Sequence, residues 1–186
     1  MATHTKHYAA QSVHFVTFTC YKWLPLFKAT NAYDAVYTWF YHIKDDAKIL
    51  GYVVMPNHVH LLTYLENDKK TLNQMVGTGK RFLTYEIVKR LKRQNNQSLL
   101  QILRGGVSHN DRAKRKQHRA FRLSFHAKIC ESRAAIEDCL DYIHANPVAK
   151  KWNLVDDLYD YEHSSAAFYM LGKPTLFPVT HYMDVI

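Results

Sequence analysis

Cysteine is scarce in this sequence, and its pattern excludes two classes of small protein. The only cysteines are Cys20, Cys130 and Cys139, which lie far apart and form no Cys-x-x-Cys pair. An odd and scattered set argues against a disulfide framework and against a cysteine zinc site. We expect reduced thiols that behave as small apolar side chains in or near the core.

Long apolar runs are also missing. No stretch approaches the roughly 18 apolar residues that predict a transmembrane helix, and the N-terminal sequence MATHTKH has no apolar signal-peptide core. These absences predict a cytoplasmic protein without a membrane partner. No segment has the composition of a domain linker. We therefore expect one domain over residues 1–186, with an irregular extension from about residue 150.

Acidic residues are in deficit. The chain has 25 lysines and arginines against 16 aspartates and glutamates, which gives a net charge of +9. Such an excess favours a polyanionic partner such as nucleic acid, because each phosphate contact releases condensed counterions. A protein that is basic without binding nucleic acid is also common, so charge alone does not decide the partner.

The hydrophobic pattern predicts an α+β fold. Alternating β-branched and aromatic residues predict strands over 12–21, 49–55, 58–65 and 121–129. Helical spacing of apolar residues predicts helices over about 31–46, 71–93 and 132–146, with a basic loop over 104–119. One antiparallel sheet with helices packed mainly on one face is the economical architecture, and its other face would be free to bind a partner.

The third predicted strand begins with two histidines, His58 and His60, separated by Val59. Residues two apart in a strand point to the same side, so both imidazoles face one surface. Such a pair is a half-site for a divalent metal, with room for a third ligand and a substrate oxygen. Because the chain has 12 histidines, an ordinary pair of exposed or packed histidines explains this spacing at least as well.

A second motif, DYIHANPV, spans Asp141–Val148 at the end of the last predicted helix. Tyr142 and Asn146 are four residues apart and therefore share one helix face. A tyrosine hydroxyl there can attack a phosphodiester if a neighbouring metal withdraws charge from the phosphate, and an asparagine can add a neutral oxygen ligand. An ordinary helix end before Pro147 explains the same residues. Helical geometry alone does not select Tyr142 among 13 tyrosines.

The two motifs together resemble the signatures of the single-tyrosine HUH transposases, in which U is a hydrophobic residue. The chain resembles most the REP-associated tyrosine transposases within the insertion sequence 200/605 type. The principal matches are YVVMPNHVHLL at Tyr52–Leu62 and DYIHANPV at Asp141–Val148. Supporting matches lie at Phe15–Thr19, Leu24–Phe27, Lys80–Phe82, Phe125–Ile129, Trp152–Val155 and Tyr161–Ala166.

The resemblance implies a ferredoxin-like sheet and a metal-dependent enzyme. In it, His58, His60 and Asn146 would bind Mg²⁺ or Mn²⁺, and Tyr142 would attack a phosphate of single-stranded DNA. The attack would leave a covalent 5′-phosphotyrosine and a free 3′-hydroxyl, and another 3′-hydroxyl would then reverse the step and join strands. The substrates implied are hairpins from repetitive palindromes or element ends. Both a homodimer and a monomer occur among such enzymes.

The resemblance also suggests which side chains contact DNA. Aromatic residues such as Tyr85, Phe121 and Trp152 would stack on bases, although aromatic side chains are more often part of the core. For any single basic residue, a solvated surface position is an equally good explanation. The basic candidates are Lys80, Arg81, Lys89, Arg90, Arg93, Arg112, Lys114, Arg115, Lys116 and Arg119.

Two further alternatives stay open from the sequence. One is a DNA-hairpin binding protein without transposition activity, and the other is a replication-initiator or relaxase-type HUH nuclease. The proton acceptor for Tyr142 is also unassigned. A free tyrosine has a pKa of about 10, so some group must accept its proton, but Asp141 and His144 would both point away from its helix face.

Overall fold

Strands and helices alternate along residues 11–186, the part of the chain that the computed structural model describes. Residues 1–10 lie outside this range. The prediction that the N-terminal sequence MATHTKH has no signal-peptide core falls on these residues. The first half contains β1 (Ser12–Thr19), α1 (Leu26–Thr30), α2 (Tyr33–Ile43), β2 (Ala47–Met55) and β3 (His58–Leu65). The second half contains α3 (Leu72–Arg93), α4 (Gln97–Gly105), α5 (His109–Ala113), β4 (His126–Cys130), α6 (Arg133–Ala145) and α7 (Ala166–Leu171). Short 3₁₀ turns lie at Tyr21–Trp23, Leu158–Asp160 and Tyr182–Asp184.

The four strands form one antiparallel sheet in the order β2-β3-β1-β4. This is the strand order of a ferredoxin-like β-α-β-β-α-β arrangement. The predicted hairpin joins β2 to β3 through Pro56 and Asn57. The predicted α+β class with an antiparallel sheet is therefore confirmed.

The last predicted strand starts later than its sequence pattern indicates. β4 begins at His126, and Phe121 makes only an isolated bridge to Cys20. Between them, residues 122–124 turn their backbone carbonyls toward Nζ of Lys80, at 2.6, 2.9 and 3.3 Å. These carbonyls bind an ammonium group instead of a neighbouring strand, which is why the alternating pattern does not produce a strand there.

Both faces of the sheet are covered, but unequally. One face packs Val16, Phe18, Val59 and Leu61 into the main core with helices α1 to α4. The predicted packing of most helices on one face is therefore observed. The other face is not left open, because α6 and the C-terminal segment pack against it in a second cluster. That cluster includes Val13, Phe15, Leu62, Ile136 and Leu140.

The C-terminal residues, expected to be irregular, cover the outer edge of β2. Val54 N donates to the carbonyl of His163 at 2.8 Å, and Thr180 N donates to the carbonyl of Ile49 at 2.9 Å. Val53 and Ser164 form an antiparallel bridge. An uncovered edge strand is a template for pairing with other chains, and this segment occupies it.

Helix α3 confirms the longest helix prediction and explains one of its glycines. Thr71 and Gln74 form a reciprocal capping box at its start. A Cβ on Gly79 would lie 2.4 Å from the Trp39 ring of α2. The glycine therefore permits a close helix contact and does not mark a bend.

The predicted basic loop over 104–119 is partly helical. Its first residues end α4, and α5 lies within it, capped by the Ser108 hydroxyl, which accepts from Asp111 N at 3.2 Å. The segment therefore has more local structure than its charge run indicates.

Residues 11–186 also show the state of the cysteines and the character of the helices. All three cysteines are free thiols, with Cys20 and Cys130 buried and the sulfurs of Cys130 and Cys139 3.6 Å apart. Within the same range, no helix combines the length and the apolarity that crossing a bilayer requires.

Candidate active site

Strand β3 places the two histidines side by side on the face covered by α6. The ring centroids of His58 and His60 are 4.7 Å apart, and each residue is only 4% exposed. Thr17 on β1 lies opposite His60, and on the other side of Thr17 lies His126 of β4. The site is therefore built on three adjacent strands.

Hydrogen bonds orient both imidazoles. Nδ1 of His58 lies 2.7 Å from the amide oxygen of Asn57, which can only accept, so Nδ1 carries the hydrogen and Nε2 keeps its lone pair. Nδ1 of His60 lies 2.6 Å from the hydroxyl of Thr17. Nε2 of His60 is buried and has no hydrogen-bond partner among the described residues. Partners of this kind fix the ring orientation of metal-binding histidines.

The surroundings keep both imidazoles neutral. Burial lowers the pKa of His58 to about 4 and that of His60 to about 3. The charge of Lys151 lowers both pKa values further, whereas the polar side chain of Asn146 opposes the shift. A neutral imidazole with a free lone pair is the form that binds a metal.

Helix α6 brings the second motif to the histidines. Ser132 caps its first turn by accepting from Ala135 N at 3.2 Å. Its last turns place the Tyr142 ring 5.1 Å from the His60 ring and 5.9 Å from the Phe15 ring, both edge to face. Tyr142 is 54% exposed. The tyrosine is therefore open to a substrate although it contacts a buried histidine.

Asn146, one helical turn after Tyr142, lies beneath it and is buried. Its amide nitrogen donates to the backbone carbonyl of Tyr142 at 2.9 Å. The amide raises the pKa of both histidines, as an oxygen facing them would. The side chain of Asn146 therefore lies close enough to both imidazoles to affect their pKa.

These groups fit a divalent metal. Across residues 11–186, no group of three or more histidine, cysteine or acidic side chains could hold an ion. A metal held by His58 and His60 would need a third protein ligand of another type, and the amide of Asn146 is such a group. Two imidazoles and one amide oxygen would leave positions free for substrate oxygens. The buried Nε2 of His60, which lacks a hydrogen-bond partner, fits this use.

Two titratable side chains, His144 and Asp141, lie within two residues of Tyr142 in the sequence. His144 is buried on the other side of α6, where Nε2 lies 2.8 Å from the Ser165 hydroxyl. Asp141 is exposed to solvent. Both positions agree with the expectation that these residues point away from the Tyr142 face.

Several residues surround the histidines, and of these only Trp152 was named as a candidate from the sequence. The rings of Trp23 and Trp152 lie 6.1 and 5.5 Å from the His58 ring. Lys151 Nζ lies 5.5 Å from the centroid of the Trp152 ring. Thr17 and His126 reach the site through strand register, which the sequence pattern does not specify. Asn57 stood inside a principal motif, and Thr17, His126 and Trp152 stood inside supporting matches, but no role beside the histidines was predicted for any of them.

Four of the predicted DNA-contacting residues have intramolecular roles. Lys80 binds the three carbonyls described above, and Arg90 joins α3 to α2 through Asp34 at 2.7 Å. Arg112 donates to the carbonyl of Arg104 at 3.0 Å, and Arg119 pairs with Asp111 at 3.3 Å. A phosphate that bound these side chains would compete with the contacts described here.

The other basic candidates are at the surface. Lys89 and Lys116 form ion pairs with Glu86 and Asp111, at 3.3 and 3.4 Å. Such exposed pairs contribute little to stability and open readily to a phosphate. These candidates, all exposed, are Arg81, Lys89, Arg93, Lys114, Arg115 and Lys116, and Arg112 is exposed as well.

The three aromatic candidates for base stacking differ in how far they are exposed. Phe121 is buried in the core with Phe18 and Phe27, so it does not face a base. Tyr85 is exposed on α3, and Trp152 is half-buried against His58. Only the latter adjoins the histidines.

Comparison with known proteins adds a fold relationship. No family model and no curated protein matches the chain. Among solved structures, the chain is similar to a REP-associated tyrosine transposase bound to a REP hairpin, with a TM-score of 0.59 and 17% sequence identity. The match covers 94% of this chain and 89% of the other. At this level of identity the similarity establishes the shared fold.

Proposed function

We propose that this protein is a metal-dependent transposase or endonuclease that cleaves and rejoins single-stranded DNA at hairpins. The observation that carries the proposal is the pairing of the exposed Tyr142 ring with the buried His60 ring, at 5.1 Å. A nucleophile open to solvent beside two neutral, oriented imidazoles is the arrangement that phosphodiester attack requires. The fold shared with a hairpin-bound tyrosine transposase supports DNA hairpins as the substrate.

The cleavage step is a transesterification. The Tyr142 oxygen forms a bond to phosphorus and loses its proton, the bond from phosphorus to the 3′ oxygen breaks, and that oxygen takes up a proton. His58, His60 and Asn146 would hold Mg²⁺ or Mn²⁺, which supplies Lewis acidity at the phosphate when bound. Lys151 adds positive charge beside the same histidines. The phosphotyrosine preserves the bond energy, so a second 3′-hydroxyl can attack it and join strands without ATP.

Positive charge for the DNA backbone lies at the same end of the sheet as the histidines. Tyr21 N donates to the carbonyl of Ala120 at 2.8 Å, and the Arg119 guanidinium lies 5.8 Å from the Tyr21 ring centroid. The basic segment therefore meets the turn that carries Trp23, next to His58. Its exposed cations, Lys114, Arg115 and Lys116, would contact the phosphates of a hairpin that enters the site.

Both halves of the proposed site come from one chain. The histidines of β3 and the tyrosine of α6 meet without a helix from a second copy. A monomer can therefore complete the ligand set and the nucleophile. A homodimer would serve to bring two DNA ends together.

The test is the formation of a covalent protein–DNA adduct. Labelled single-stranded hairpin oligonucleotides from the host genome are incubated with the protein and Mg²⁺ or Mn²⁺, then separated under denaturing conditions. We expect an adduct with the native chain and none with Tyr142→Phe, while the control Tyr85→Phe, on the surface of α3, behaves as the native chain. An adduct that persists in Tyr142→Phe would refute the assigned nucleophile. Hairpin binding without any adduct would favour a binding protein that lacks transposition activity.

A further inference from the structure

The turn after β1 has an unusual backbone. Lys22 and Trp23 are consecutive residues with φ of 53° and 58°, the left-handed region that residues other than glycine rarely adopt. Backbone of this kind persists where the surroundings enforce it, and it is concentrated at functional sites. Here Trp23 N donates to the carbonyl of Cys20 at 3.1 Å, and Tyr21 N is held by Ala120.

The strained turn exposes a large aromatic side chain. Trp23 is 53% exposed and lies edge to face with the His58 ring. By contrast, Trp39 is buried in the core and Trp152 is half-buried. About half of the Trp23 side chain is therefore available to a ligand while the rest packs beside His58.

One side chain connects this turn to the candidate metal ligands. The Asn57 amide nitrogen donates to the carbonyl of Trp23 at 3.0 Å, and its amide oxygen accepts from Nδ1 of His58 at 2.7 Å. The same amide therefore holds both the Trp23 backbone and the orientation of the His58 ring. A ligand that docks on Trp23 lies at a fixed distance from the histidines.

A lysine accompanies each of the two tryptophans that contact His58. Lys22, beside Trp23, has Nζ 5.7 Å from the Tyr21 ring centroid. Lys151 lies over Trp152 on the other side. An exposed aromatic face with neighbouring lysines is how proteins bind single-stranded nucleic acid, since bases stack on the ring and phosphates meet the ammonium groups.

We propose that Trp23 is the stacking platform for one unpaired base of single-stranded DNA next to the cleaved phosphate, with Lys22 binding an adjoining phosphate. The identity of the ligand rests on the proposed function. The strained turn holds the indole on which this base stacks. Asn57 sets the position of the indole relative to His58. Trp23 is thus a positioning residue that selects which phosphate reaches Tyr142.

The experiment measures binding apart from cleavage. A dye-labelled single-stranded oligothymidylate is titrated, without divalent metal, into the Tyr142→Phe protein with and without Trp23→Ala. We expect binding about 10-fold weaker with Trp23→Ala, the loss of one stacked base, and near-native binding with Trp23→Phe. The control is Tyr41→Ala, which removes a ring of similar exposure, 51%, from α2 on the opposite face of the sheet. Its affinity should not change.

A position scan distinguishes stacking from a general loss of structure. Single abasic residues are placed in turn along the strand of a hairpin that the protein binds. At one position the abasic strand should bind the parent and Trp23→Ala proteins equally, because the base that Trp23 stacks on is missing. Equal affinity of Trp23→Ala and its parent for every strand would overturn the proposal. So would a 10-fold loss that persists at every abasic position.

The result is independent of the proposed nuclease activity. One outcome is that no hairpin forms an adduct, yet the parent and Trp23→Ala proteins bind equally at one abasic position. Trp23 then stacks on a base in a protein that does not cleave. If adducts form normally and Trp23→Ala binds as well as its parent, the enzyme assignment stands and the stacking role fails. Trp23→Gly checks folding, because glycine adopts the turn without strain. It should melt above Trp23→Ala and bind DNA equally weakly.

Discussion

The hydroxyl of Thr17 lies 2.6 Å from Nδ1 of His60, although the two residues belong to different strands. This contact leaves Nε2 of His60 as the ring nitrogen that faces the candidate metal site. Burial keeps the imidazole neutral. The orientation of one proposed ligand thus depends on a threonine for which the sequence predicted no role.

Thr17→Val should weaken metal binding without unfolding the protein. Valine is close in shape to threonine but cannot hydrogen-bond to Nδ1, so His60 loses the partner that sets its orientation. Loss of such a partner costs about 10- to 100-fold in metal affinity. Isothermal titration with Mn²⁺ measures the effect. Thr38→Val, on the exposed face of α2, is the control. An unchanged affinity in Thr17→Val would show that the contact does not orient a ligand.

Lys151→Gln should slow adduct formation by about 10-fold or more, because a positive charge near the phosphate is lost. The histidine pKa values should rise at the same time, since Lys151 lowers both of them. Single-turnover cleavage kinetics and NMR titration of the imidazoles measure the two effects. Lys150→Gln is the matched control, because Lys150 is the exposed neighbour. Equal slowing in both variants would mean that only net charge matters.

Acid should destabilise the metal-free protein through His144. Burial lowers the pKa of His144 to about 4, so the unfolded state, with a pKa of about 6.5, binds the proton more readily. Stability is therefore full at neutral pH and is lost as the pH falls from about 6.5 toward 4. The loss from this residue at pH 5 is about 2 kcal/mol. Urea unfolding at pH 7.5 and pH 5 measures it, and His144→Gln should reduce the difference by about that amount.

Lys80 and Arg115 should respond to substitution in opposite ways. Lys80→Met removes the donor to three carbonyls, so it should lower the free energy of unfolding by about 1–3 kcal/mol. The salt dependence of hairpin binding should stay the same. Arg115→Gln should leave stability unchanged and reduce the salt slope by about one phosphate contact. Arg81→Met is the control for the stability measurement, because it removes an exposed cation from the same helix and should leave the free energy of unfolding unchanged. A reduced salt slope in Lys80→Met would instead indicate that Lys80 contacts a DNA phosphate.

The sequence predicts those parts of the fold and site that depend on local spacing. The i, i+2 rule placed His58 and His60 on one face, and the i, i+4 rule placed Tyr142 and Asn146 on one helix face. Their approach to one another depends on how α6 packs against the sheet, for which only the family resemblance provided a guide. The ligand and nucleophile roles of these residues stay predictions.

The remaining features depend on contacts between distant segments. The Thr17–His60 contact requires the β1–β3 register, and the exposure of Trp23 requires a turn held by Asn57 and Ala120. β4 begins late because Lys80, from a separate helix, binds the preceding carbonyls. None of these contacts leaves a periodic signal in the sequence.

The docking of the C-terminal segment on β2 has a consequence for shortened forms of the protein. Every residue of β2 is buried except Lys48, which is partly exposed. A chain that ended before Tyr161 would lose the covering at His163, Ser164 and Thr180, and would present an apolar strand with unpaired backbone groups. Two such chains would join edge to edge. Truncation would therefore produce insoluble aggregates even though every proposed catalytic residue were retained.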